Sequence, residues 1–300
     1  MKELIDYLSG RINVSNKAMI EKDIILHRLL GSIVADVQFK GSFVFKGGTC
    51  LTKCYLGYYR FSEDLDFTYI KQDDFKGLSQ KETRRFLSSK IDELLFLLKK
   101  ASEALGLDFR PEKSNTNYIE YGGSNKFVTF KLWYKSHVIK VKQFVKIQIN
   151  FVEEITESIE ERQARSLYSD IPYKEMLLLF PEYVDVIKGI TLKCYSLKEI
   201  LYEKIRAILT RRSVKSRDFI DAYLIGKSTD VVIEAEKDKI IGKIRFMLRY
   251  DKYVQNLSEF SIKNLVLEDT ERLLIKPVDH GFSKFMDRFP DYLKDLSTQL

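Results

Sequence analysis

No stretch of this 300-residue chain approaches the ~18 consecutive apolar residues that a membrane-spanning helix needs, so no such helix is predicted. The first residues, MKELIDYLSGRINV, carry acidic side chains and no apolar core, which predicts no signal peptide. Glycine (14) and proline (5) are too sparse for a collagen-like or proline-rich linker architecture. There is no internal repeat and no low-complexity tract. Cysteine is scarce as well. Cys50, Cys54 and Cys194 form an odd set without a Cys-x-x-Cys pair, and Cys50 and Cys54 read as small buried hydrophobes. With only three histidines, in unrelated contexts, they predict no zinc site. The same scarcity suits a reducing cytoplasm.

What is present describes a globular chain. Hydrophobic residues make up 45% and charged residues 31%, too apolar for disorder. At this length a folded chain buries roughly three quarters of its unfolded surface and needs no disulfide or metal staple. The net charge is +7 and the isoelectric point near 9.0. Spread over 300 residues, that excess is modest and suits a polyanionic partner.

Periodicity divides the chain. Residues 15–37 have helical spacing with Ser15 as a cap, and Ser42-Phe43-Val44-Phe45 reads as a buried strand. Lys46-Gly47-Gly48 breaks that strand, and a helix starts near Thr49, a candidate N-cap. Asp64 to Ile70 alternates and reads as a strand, and 79–105 as a long amphipathic helix. Strands are expected at 117–121, 126–134 and 143–152. Residues 154–190, with Pro172 and Pro181, read as irregular and hold the domain boundary. Beyond it, Ser196 to Glu199 fits a capping box opening a helix through Arg212, then come a helix over 216–225 with Gly226 as its C-cap and helical spacing over 230–248, 257–275 and 282–297. The expectation is an α+β protein of two lobes: a first domain over 1–190 with a mixed sheet, and a helical domain over 191–300.

The segment that carries chemistry is FVFKGGTCLTKCYLGYYRFSEDLDF, residues 43–67. A buried strand delivers Gly47-Gly48 to a helix start. Absent Cβ atoms let backbone amides approach a ligand, and a helix N-terminus favours phosphate; Thr49 adds a hydroxyl. The next strand carries Asp64 and Asp66, which share a face because strand side chains alternate. Adjacent carboxylates repel unless a cation separates them. Oxygen ligands beside phosphates suit Mg²⁺ or Mn²⁺. A phosphate cradle, a helix and paired carboxylates are the parts of a metal-assisted nucleotidyl- or phosphoryl-transfer site. Lys53 and Arg60 are candidate β- or γ-phosphate contacts.

Gly47-Gly48-Thr49-x-Leu51 followed by Arg60-x-Ser62-Glu63-Asp64-Leu65-Asp66 resembles the AbiEii/AbiGii-type toxins, nucleotidyltransferases of the DNA polymerase β-like superfamily. Glu21-Lys22-Asp23 is similar to that family's N-terminal pattern. So is Glu203-Lys204-x-x-Ala207 followed by Arg217-Asp218-x-x-Asp221. The resemblance implies that Gly47, Gly48, Thr49 and Ser62 hold an NTP, that Asp64 and Asp66 hold the metals, and that Lys204 and Asp218 complete the cleft. Lys204, Ala207 and Arg211 recur on one helix face. That face grips a triphosphate or RNA backbone, or is salt-bridged to Asp218 and Asp221, and the two readings are compatible. The resemblance further implies a toxin–antitoxin system active in abortive infection and phage defence, with a winged-helix antitoxin. The acceptor it implies is a tRNA 3′ end or a protein hydroxyl.

One departure stands out. The superfamily's third carboxylate would fall on Gln148 in Lys146-Ile147-Gln148-Ile149-Asn150, and an amide cannot replace a carboxylate as metal ligand or base. Glu153 or another acid serves, or two carboxylates suffice, or activity is impaired. A non-catalytic NTP- or RNA-binding protein and a kinase-like phosphoryl transferase are the alternatives. Lys140, Lys142 and Lys146 alternate as a basic wall suited to RNA.

Overall fold

The computed structural model describes residues 1–123, 125–229, 231–260 and 272–300. The chain packs as two compact units. The first comprises Met1–Gly57, Phe61–Glu153 and Ile159–Cys194; the second comprises Tyr58–Arg60, Glu154–Ser158 and Tyr195–Leu300.

The first unit is built on a seven-stranded sheet. Its strands are β1 (Phe43–Lys46), β2 (Asp64–Tyr69), β3 (Ile119–Gly122), β4 (Phe127–Lys135), β5 (Lys142–Asn150), β6 (Ile159–Ala164) and β7 (Ile190–Tyr195), in the order β3-β4-β5-β2-β1-β7-β6. β1 pairs antiparallel with β2 and parallel with β7, while β2 runs parallel to β5. The mixed directions and the flanking helices make the fold α+β, as expected. β6 lies in the stretch read as irregular, 154–190, and β7 begins at its last residue. β6, Ile-Glu-Glu-Arg-Gln-Ala, is too polar to show a strand pattern. β7 is a sheet strand, which is why the first unit runs on to Cys194.

Helix α1 (Lys2–Ile12) precedes α2 (Lys17–Val34), whose start is capped by the Asn16 side chain accepting from the Met19 amide. Ser15 is therefore not the cap. The expected single helix over 15–37 ends at Val34, and a separate short helix, α3 (Val37–Ser42), contains Gly41. The 26-residue helix α5 (Gln80–Leu105) follows the sequence closely. Ser79 and Glu82 cap it reciprocally, and Gly106, at φ 67°, ends it. Its buried stripe includes Leu87, Ile91, Leu94, Leu95 and Leu98. Each such side chain contributes roughly 1.5–3 kcal/mol before entropy is counted. The short helix α6 (Tyr173–Leu179) also belongs to this unit.

The second unit is helical: α7 (Leu197–Thr210), α8 (Ser216–Ser228), α9 (Lys237–Met247), α10 (Asp251–Ser258) and α11 (Gly281–Ser297). Ser196 caps α7 by accepting from the Glu199 amide, while the Glu199 carboxylate receives the Thr156 and Glu157 amides and the Lys243 ammonium. α7 stops at Thr210, short of the expected Arg212, and Gly226 lies inside α8 instead of capping it. The helix expected over 257–275 falls largely outside the described residues. Among the described residues no helix is long and apolar enough to cross a membrane.

Candidate active site

β1 is buried along its length and stops at a tight turn. Gly47 has φ 74°, and a Cβ added there would run into the Asp66 carboxylate. Glycine is required here twice over, for the left-handed backbone and for the close approach of Asp66. Helix α4 (Gly47–Cys50) starts at once and continues as a π-helical stretch, Leu51–Leu56. Lys46 holds the N-cap position, so Thr49 lies inside the helix and does not cap it. The Thr49 side chain is buried, its Oγ1 sits 2.7 Å from Ser62 Oγ, and it donates to the Asp64 carbonyl. Its hydroxyl therefore fastens the glycine turn to the strand of aspartates.

On β2, Leu65 and Phe67 enter the core and leave Asp64 and Asp66 half-buried on the opposite face. The register places Lys46, Asp66, Gln148 and Thr129 in one row across β1, β2, β5 and β4. Asp64, Lys146 and Lys131 form the next row. Register partners in a sheet share a face, so lysines flank both aspartates. Lys142 and Lys146 belong to β5, whereas Lys140 precedes it in the loop, at φ 61°, outside the expected alternation. The slot beside Asp66 on the parallel strand is filled by Gln148, whose Nε2 lies 3.3 Å from Thr129 Oγ1. Glu153 is buried beyond the end of β5, accepts from Asn150 Nδ2 at 2.9 Å and lies 3.7 Å from Lys46 Nζ.

Helix α2 braces this arrangement through three consecutive residues. Glu21 accepts from the Ser136 hydroxyl and the His137 amide, fixing the β4–β5 connection. Lys22 pairs with Glu63, next to Asp64, at 3.0 Å. Asp23 pairs with Lys53 at 2.8 Å, and both side chains are buried. Lys53 thus points inward to α2. Apart from the family-like pattern, the only sequence signal for this brace is a run of charge on a helix whose neighbouring positions are apolar.

Arg60, Lys204, Arg211, Asp218 and Asp221 come together within the second unit. Asp221 accepts from Arg60 at 2.7 and 2.8 Å, from Tyr59 Oη at 2.7 Å and from Lys204 at 2.7 Å. Lys204 bridges to Asp218 at 2.8 Å, and Arg211 reaches Asp218 at 2.6 Å from the end of α7. Burial would raise the Asp221 carboxyl, but Arg60 and Lys204 hold it far below the carboxylate range. Asp218 is lowered too, with burial opposed by Lys204 and Arg211. Burial works against the Arg60 cation, and Asp221 outweighs it, keeping the guanidinium charged. The face is salt-bridged to Asp218 and Asp221, one of the two compatible readings open for it. Gly47, Gly48, Thr49, Lys53, Ser62, Asp64 and Asp66 lie in the first unit; Arg60, Lys204, Arg211 and Asp218 lie in the second.

The donor set fits a hard divalent cation. Asp64 and Asp66 offer carboxylate oxygens on one strand face, and the missing Cβ of Gly47 lets the Asp66 carboxylate pack against the glycine turn.

The family described as nucleotidyl transferase AbiEii toxin, type IV TA system, matches residues 28–299. Among solved structures, JHP933 from Helicobacter pylori is 16% identical with a TM-score of 0.42, over 93% of this chain and 97% of that one. A candidate nucleotidyltransferase from H. pylori is 17% identical with a TM-score of 0.42, over 96% and 97%. Among curated proteins, none is matched.

Proposed function

Because the chain belongs to the AbiEii nucleotidyltransferase toxin family of type IV toxin–antitoxin systems, we propose that it transfers a nucleotide from an NTP to an acceptor hydroxyl, using Asp64 and Asp66. The observation that carries this reading is the half-buried pair Asp64 and Asp66 on one face of β2, beside the left-handed Gly47 turn that Asp66 packs against. Asp64 and Asp66 would hold Mg²⁺ or Mn²⁺, which when bound supplies Lewis-acid stabilisation of phosphate charge.

The remaining roles belong to the chain's own groups. Backbone amides of Gly48 and Thr49, at the start of α4, donate to phosphate oxygens. Lys146, in register with Asp64, offsets negative charge gathered at the aspartates. In the reaction the acceptor oxygen bonds to the α-phosphorus, the bond to the bridging oxygen breaks, and pyrophosphate leaves. The hydroxyl proton goes to an aspartate or to solvent, because Gln148 cannot take it. Lys204, Asp218, Arg60 and Arg211 enter as a positioning network, since each cation already faces a carboxylate.

The lysine-flanked face suits a polyanionic acceptor, and a tRNA 3′ end is the acceptor proposed. A toxin of this family implies a cognate antitoxin, proposed to be a winged-helix regulator. Gln148 in place of a third carboxylate favours one rival, a non-catalytic NTP- or RNA-binding protein. The test is transfer of labelled NTP to total RNA with and without Mg²⁺. Wild type should label RNA only with Mg²⁺, and Asp64→Ala should not label it. Equal labelling by both refutes the reading. Acceptor mass separates addition of a nucleoside monophosphate from addition of a phosphate.

A further inference from the structure

The three cysteines of the chain, which no part of the proposed reaction uses, converge in the first unit. Cys50 ends α4, Cys54 lies one turn on in the π-helical stretch, and Cys194 comes from β7, the strand paired with β1 at Phe45. Each Sγ lies within 4.8 Å of the other two, and Cys54 Sγ and Cys194 Sγ are 3.6 Å apart. We infer that Cys50, Cys54 and Cys194 form a three-thiolate site for one thiophilic d¹⁰ cation, zinc(II) or copper(I).

The geometry has the right scale. With metal–sulfur bonds of about 2.3 Å, tetrahedral or trigonal sites set sulfurs about 3.8–4.0 Å apart. The cluster spans 3.6 Å to at most 4.8 Å, so adjustments of under about 1 Å close it. Cys50 and Cys194 are fully buried, and Cys54 is half-buried. The chemistry selects soft ions, because no carboxylate or imidazole joins the three sulfurs among the described residues. Three ligands leave a position free, which copper(I) does not need and which water would fill on zinc(II). Positive charge from Lys53 and Arg162 acts on Cys54 and offsets part of the thiolate charge. A disulfide would need only two of these cysteines, whereas a cation uses all three. As three metal–sulfur bonds form, three thiol protons pass to buffer. The bound ion would clamp the helix of the glycine turn to β7.

The test uses the full chain, reduced and chelator-treated under nitrogen. It is titrated with zinc(II) and with copper(I), and with cobalt(II) as a coloured probe of sulfur ligation. One equivalent should bind, cobalt should give a sulfur charge-transfer band, and bound metal should shield all three thiols from iodoacetamide. Competition with a zinc-selective and a copper(I)-selective chelator shows which ion is held more tightly. The variant Cys54→Ser, at the least buried of the three positions and with its fold verified by circular dichroism, should bind at least tenfold more weakly and lose most of the band. Cys194→Ala, verified in the same way, should do likewise. Full-strength binding by both variants assigns the ion to other groups and overturns the proposal. So does a reduced wild type that binds neither ion yet forms a Cys54–Cys194 disulfide in air.

Discussion

Replacing Asp221 by Asn tests what the buried charge network contributes. The wild-type carboxylate accepts from Arg60 twice, from Tyr59 and from Lys204, all between 2.7 and 2.8 Å, at full burial. The network holds three cations and two carboxylates. The substitution leaves Arg60, Lys204 and Arg211 facing Asp218 alone, and turns an amide donor toward groups that are themselves donors. Breaking a buried pair in this way costs about 3–5 kcal/mol. Lys204→Met is the control. It leaves Asp221 with Arg60 and Asp218 with Arg211, so its cost should stay near the 1.5–3 kcal/mol of a charge-assisted hydrogen bond. Urea unfolding with fixed slopes should rank wild type above Lys204→Met above Asp221→Asn. The reasoning is refuted if Asp221→Asn loses less than roughly 1 kcal/mol, or if the two variants exchange places.

Three further outcomes are expected. Gly47→Ala should cost about 1–2 kcal/mol for its left-handed backbone and displace the Asp66 carboxylate. Transfer should therefore fall more than tenfold while most of the cooperative melt survives, and full activity in the variant would contradict the site. Lys53→Met should destabilise the first unit by several kcal/mol because Asp23 loses its buried partner. The double variant Asp23→Asn, Lys53→Met should recover most of that loss in the same unfolding assay. Acid should weaken the fold in two stages. Burial, and then the Lys53 charge, hold the His27 imidazole down to about 4 from 6.5. The unfolded chain therefore binds the extra proton first as pH falls, and stability present above pH 6.5 is lost on the way to about 4. Between pH 7 and pH 5 the loss should be about 2 kcal/mol, and a His27→Gln variant should lack it. Asp218 and Asp221, lowered by their cations, add a second loss below about pH 4.

Legibility followed locality. Helix α5 announces itself through its capping box, apolar stripe and terminal glycine. β2 announces itself through strict alternation around Asp64 and Asp66. β6 escaped because a polar strand at the sheet's end has no inward alternation to read. Thr49 was legible as a hydroxyl near the glycine turn, but its commitment to Ser62 and Asp64 depends on β2 returning alongside α4. Lys53 was legible as a cation near the glycine turn. Its direction depends on Asp23, thirty positions earlier in the chain.

The sequence by itself determined the ingredients. It set a glycine turn after a buried strand, two aspartates on one strand face, and an amide where a third carboxylate was expected. The first two follow from spacing of two or of 3.6 residues, which local geometry converts directly into direction; the third is legible only beside the family resemblance. Only the tertiary structure decided which charges meet. It turned Lys53 inward to Asp23, closed Arg60 and Lys204 on Asp221, and set Lys146 beside Asp64. It also brought Cys194 to Cys50 and Cys54. Each of these contacts joins residues remote in sequence. Coulomb attraction and desolvation depend on distance and burial, and a linear pattern carries neither.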